Sequence, residues 1–86
     1  MTGQVIEVGE ALNITATNST LKDVMLMGLF VSQNSTGTIK VADAVKTIAN
    51  TFTPLPGTYY PLPCRTSGAT TVTITGTMDV TVFYRN

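Results

Sequence analysis

The sequence predicts an all-β fold, a single β-sandwich domain over residues 1–86. Two observations carry this. From Thr70 to Tyr84 the chain alternates: Val72, Ile74, Met78, Val80, Val82 and Tyr84 occupy even positions, and Thr71, Thr73, Thr75, Thr77, Asp79 and Thr81 odd ones. Such alternation marks strands with one dry and one wet face, and β-branched residues fit the pleated surface. Turn-forming residues also recur roughly every ten positions and mark off about seven or eight short strands, the pattern of a sandwich.

Taken in order, Gln4 to Val8 reads as a short edge strand closed by Gly9. Ala11 to Thr17 alternates, with Leu12, Ile14 and Ala16 inward, and Asn18-Ser19-Thr20 is a turn cluster. Val24 to Val31 is nearly continuous apolar sequence, the pattern of a strand covered on both faces, which points to a second subunit over one of them. Gly28 and the β-branched ends disfavour a buried helix there. Gln33 to Gly37 is a loop leading to a strand over Thr38–Val41, forming a hairpin.

Between Ala42 and Thr51 the alternation fails at Asp43 and Thr47, while Val41, Ala44, Val45, Ile48 and Phe52 fit helical spacing. At most one short helix is expected, around residues 42–50. Thr53 to Pro63 is held extended by its prolines and belongs at an edge or on the surface. It reads both as a rigid cap on the sandwich and as a docking ledge with Leu55, Tyr59, Tyr60 and Leu62 as anchors. Ser67-Gly68 turns the chain into its last two strands, which Gly76 separates. A three-residue loop, Thr75-Gly76-Thr77, would pair Ile74 with Met78 and Val72 with Val80 and keep one face dry. Alternatively, the last strand crosses to another sheet.

Net charge is zero and 12% of residues are charged, which excludes the clustered Lys and Arg of nucleic-acid binding. A hydrophobic content of 43% excludes a disordered tail. The single cysteine, Cys64, allows no internal disulfide. A small β domain without disulfides or metals has little core, and self-association or docking is the usual remedy. No stretch reaches the length of a transmembrane helix, and Met1-Thr2-Gly3-Gln4 lacks the basic start of a secretory signal.

Catalytic constellations are missing. Without histidine there is no Ser-His or Cys-His pair. Arg65 could lower the thiol pKa of Cys64, but no base accompanies it, and a small packed residue is the simpler reading. Zinc ligands are lacking, and Glu7, Glu10, Asp23, Asp43 and Asp79 show no calcium-loop spacing. No enzyme activity, cofactor or metal is expected. Asn13-Ile14-Thr15, Asn18-Ser19-Thr20 and Asn34-Ser35-Thr36 match the N-glycosylation triplet, read here as turn chemistry in an Asn- and Thr-rich chain. Met25-Leu26-Met27 offers an adaptable contact face, although core packing explains it as well. Tyr59-Tyr60 is the one adjacent aromatic pair, and strand neighbours point opposite ways.

Gly57-Thr58-Tyr59-Tyr60-Pro61-Leu62-Pro63 and Val80-Thr81-Val82-Phe83-Tyr84, within a short, histidine-free, Thr- and Val-rich chain, carry a resemblance. The chain resembles the small jelly-roll decoration or cement proteins of tailed-bacteriophage virions. The resemblance implies a jelly-roll-like sandwich made in the host cytoplasm and carried on the capsid surface. It further implies self-association as a dimer or trimer and binding to the major capsid protein. It transfers no specific functional residue.

The expected function is that of a non-enzymatic structural virion protein that bridges and stabilises capsid subunits. Its expected contacts are Met25, Met27, Leu55, Tyr59, Tyr60, Leu62, Arg65 and Arg85, with no nucleic acid, membrane or small-molecule substrate as partner. The alternatives are a carbohydrate- or receptor-binding β module and a minor tail or connector subunit.

Overall fold

A computed structural model describes residues 9–86. Among these residues the chain forms eight strands and no helix: β1 (Glu10–Ile14), β2 (Asn18–Lys22), β3 (Met25–Val31), β4 (Thr38–Ala42), β5 (Thr47–Phe52), β6 (Thr58–Arg65), β7 (Ala69–Thr75) and β8 (Val80–Arg85). The strand expected over Gln4–Val8 lies outside the described residues.

The strands form two antiparallel sheets of four, ordered β1-β8-β3-β6 and β2-β7-β4-β5. The pairs β1·β8, β2·β7, β3·β6 and β4·β5 nest like one long hairpin rolled across two layers, which is the jelly roll. Only β4 and β5 are consecutive strands in the same sheet. Inward residues of both sheets interdigitate in a single core that includes Ile14, Leu21, Leu26, Leu29, Val31, Ile39, Val41, Val72, Met78, Val80 and Val82. The molecule is 17 Å across its thinnest dimension, so this core is one layer of side chains deep on each sheet.

Of the two alternatives for the last two strands the crossing holds and the hairpin does not: β7 sits between β2 and β4, and β8 between β1 and β3, in opposite sheets. Crossing keeps the same parity inward on both strands and gives each strand two ladder partners instead of one. Other expectations are corrected. The segments β3 and β4 cross in the same way. The two arches meet at Gly37 and Gly76, where the Gly37 N–H donates to the Thr77 carbonyl at 3.0 Å and Gly76 has φ 85°. A β-carbon on Gly76 would lie 3.1 Å from the Gly37 Cα, so bare backbone is required on both sides.

Asn18-Ser19-Thr20 opens β2 instead of turning. The Asn18 carboxamide oxygen accepts from the Thr20 N–H at 3.0 Å, a local bond that the strand tolerates because Leu21 just beyond it enters the core. Ala16 is exposed, since β1 ends at Ile14.

No helix forms around residues 42–50. Asp43 closes a tight turn by accepting the Val45 and Lys46 N–H groups at 2.9 and 2.8 Å, and β5 then pairs with β4. The β4–β5 register slips twice, between Ile39 and Val41 and between Val41 and Ala42. Those slips break the alternation and imitate a helical spacing. Within the chain β3 is covered on one face only: Leu26, Leu29 and Val31 point inward, and Met25 and Phe30 are exposed. The run reads as continuous because its outward residues are apolar too.

Candidate functional site

The outer face of the β1-β8-β3-β6 sheet collects the apolar side chains that the core does not use. Cross-strand register builds it in rows. Met25 stands between Arg65 and Arg85, Gly28 between Pro61 and Phe83, and Phe30 between Tyr59 and Thr81. On the β1 side, Ala11 lies opposite Phe83 and Asn13 opposite Thr81. Met25, Phe30 and Tyr59 are 41%, 40% and 46% exposed, high values for residues of their size.

These side chains surround an open groove of about 690 Å³ lined by Met27, Phe30, Tyr59, Phe83 and the start of β1. The Tyr59 and Phe83 rings tilt toward one another at 56°, with centroids 6.2 Å apart, across the intervening strand β3. Gly28 makes this possible, because it leaves the middle strand without a side chain between them. A register shift between Leu26 and Gly28 inserts Met27 as a bulged residue, half-buried at the groove wall. A smaller hollow of about 270 Å³ adjoins it, between Met25, Pro63, Cys64 and Arg65.

β6 is an edge strand, as the prolines required. Tyr59, Pro61, Pro63 and Arg65 face outward, and Thr58, Tyr60, Leu62 and Cys64 turn inward. The ledge therefore splits. Tyr60 and Leu62 pack against the core instead of serving as surface anchors. Tyr60 meets Phe52 edge-on at 5.5 Å, and its hydroxyl accepts the Leu55 N–H at 2.9 Å. Leu55 is exposed on the β5–β6 connection, off the strand face. Of the expected contact residues, Met25, Met27, Tyr59 and Arg65 share the outer face, and Arg85 is half-buried at its end.

Sequence reasoning missed Phe30 and Phe83. The signal for Phe83 was present: it holds an odd position in a run whose even positions point inward.

Polar chemistry concentrates away from this face, at a clasp near the end of β6. The Asp43 carboxylate accepts from Lys46 Nζ at 2.6 Å and from the Ser67 N–H at 3.0 Å, besides its own turn. The Lys46 ammonium, followed by these backbone N–H groups, holds the Asp43 carboxyl far below the usual carboxylate range and outweighs desolvation. The same bond raises the Lys46 pKa. Lys46 Nζ also donates to the Arg65 carbonyl at 3.3 Å, so the clasp ties the β4–β5 turn to the end of β6. Every polar group in it is spent on structure.

Among the described residues no cluster of three or more Cys, Asp or Glu could hold a metal ion. Cys64 is half-buried, and its Sγ lies 3.5 Å from the Arg65 carbonyl. The face can bind apolar and aromatic surface. No protein-family model, curated protein or solved structure matches this chain.

Proposed function

We propose that this protein is a non-enzymatic structural component of a virion, a decoration or cement protein that bridges and stabilises subunits of the major capsid protein. The observation that carries this reading is the methionine- and aromatic-rich outer face of one sheet. Aromatic residues, Met and Arg are the residue types enriched at protein interfaces. A jelly roll this thin buries little apolar surface internally, and a neighbouring protein supplies the rest. Repetition over a particle turns a modest contact per copy into high avidity.

The test is co-sedimentation of the purified protein with assembled capsids of the virus that encodes it, followed by heating of the loaded particles. Saturable pelleting and a higher disruption temperature are expected. A protein that stays in the supernatant at every loading overturns the reading.

A second reading, a carbohydrate- or receptor-binding module, is favoured by the open groove with Tyr59 and Phe83 on its walls, since exposed rings are the usual platform for a sugar. Glycan-array binding that is lost in Tyr59→Ala would establish it. Tyr60→Ala is not informative, because that ring points into the core.

A further inference from the structure

Arg65 and Asp79 stand at opposite ends of the aromatic outer face. β3 and β8 run antiparallel, with Met25 opposite Arg85 at one end and Val31 opposite Val80 at the other. Arg65 ends β6 opposite Met25. Asp79 directly precedes β8, on the outward parity of Thr81 and Phe83. Its Oδ1 accepts from Asn13 Nδ2 at 2.7 Å, and Asn13 lies on the same face opposite Thr81. Among the described residues, neither the Arg65 guanidinium nor Asp79 Oδ2 has a partner. Phe30, Phe83, Met27 and Tyr59 fill the space between these two ends.

We propose that two copies of this chain pair face to face through the outer surface of the β1-β8-β3-β6 sheet. The pairing follows a two-fold axis through the Phe30–Phe83 patch that lays Arg65 of each copy over Asp79 of the other. The proposal goes beyond the proposed function: it covers this face with a second copy, so that any capsid contact is made by other surfaces of the pair.

Three observations favour a second copy as the occupant. A face with opposite charges at its two ends is complementary to itself, as a two-fold interface requires, whereas a face of one sign would call for a partner of the other. The three lysines, Lys22, Lys40 and Lys46, lie on β2, on β4 and in the β4–β5 turn, which leaves this face free of lysine, one of the residue types depleted at interfaces. The broad dimensions of the molecule, 46 by 30 Å, accommodate the roughly 800 Å² per partner of a standard interface.

The pairing is read by sedimentation velocity on the isolated protein, and the capsid role by separate pelleting with particles. The wild-type chain is expected to be a dimer at about 100 µM and to dissociate on dilution. Phe30→Ser should weaken pairing by about tenfold or more with its melting temperature unchanged, as expected for a central aromatic anchor. Arg65→Asp should weaken it as well, and adding Asp79→Arg should restore it. A wild-type monomer at about 100 µM, or a dimer indifferent to Phe30→Ser, overturns the proposal. If the wild-type monomer pellets with particles and Phe30→Ser abolishes that, the pairing is wrong and the face belongs to the capsid protein. A dimer that ignores particles supports the pairing and removes the capsid role.

Discussion

The ring of Tyr59 lies across Gly28. A β-carbon on Gly28 would come within 2.5 Å of Tyr59 Cζ and 2.7 Å of the Tyr60 carbonyl oxygen. The bare backbone of β3 is thus the floor on which an aromatic from β6 reaches toward β8. Glycine inside a strand normally costs stability relative to alanine, so its presence here reflects space.

Gly28→Ala should therefore destabilise the domain by about 1–3 kcal/mol, the usual cost of overpacking, instead of stabilising it. Urea denaturation of Gly28→Ala and of Gly28→Ala/Tyr59→Ala tests this. The double variant should recover only part of the loss, because the Tyr60 carbonyl is backbone and cannot move aside.

Two buried threonines should respond oppositely to valine. Thr66 Oγ1 accepts the Val24 N–H at 2.9 Å and donates to the Val24 carbonyl at 3.0 Å. Thr66→Val strands the buried Val24 N–H, while the Val24 carbonyl keeps the Thr66 N–H at 2.8 Å, and should cost about 1–3 kcal/mol. Thr70 Oγ1 is buried with no partner. Thr70→Val should stabilise by about 1 kcal/mol, a rise in melting temperature of about 4–8 °C for a domain this size. A lower melting temperature for Thr70→Val would show that its hydroxyl is bonded in solution.

Neighbours on β3 separate stability from association. Leu29 is 1% exposed in the core, and Phe30 points out. Leu29→Ala should cost about 2–5 kcal/mol by denaturant melt and leave self-association intact where the protein stays folded. Phe30→Ser should do the reverse. Equal effects of both on either measurement would contradict the assigned faces.

The Asp43 clasp sets an acid limb. The Asp43 carboxyl titrates lower in the folded than in the unfolded chain, so the unfolded chain takes up its proton first as pH falls. The clasp's contribution is complete above about pH 5 and is lost progressively as pH drops toward the lowered folded value. Asp43→Asn should be less stable than wild type at pH 7 and show a shallower fall in urea midpoint from about pH 5 downward. Parallel acid limbs for the two proteins would rule the clasp out as a source of acid sensitivity.

Parity was the most legible information in the sequence. It placed Val72, Val80 and Val82 in the core, while the prolines identified β6 as an edge. It could not distinguish a hairpin from a crossing at Gly76, because both leave even positions inward. Long-range pairing decided that, and no local signal reports it. The β4–β5 slips hid a strand behind a helical spacing, and the apolar outward residues of β3 hid an exposed face inside an apparent core run. An interaction face made of core-type residues is read as core until the backbone shows which way each one points. Met25, Tyr59 and Arg65 were recognised as contact residues and the aromatic centre beside them was not.

The order of strands also bears on how the chain is born. β8 is the last of the eight described strands yet lies in the interior of its sheet, between β1 and β3. A chain emerging from the ribosome can assemble neither its first strand nor its third into a finished sheet until residues 80–85 are free of the exit tunnel. Folding therefore waits for β8, proceeds through pairings distant in sequence, and is slow for a domain of this size. Until then the aromatic residues of β3 and β6 are open to any nascent neighbour on the same messenger RNA.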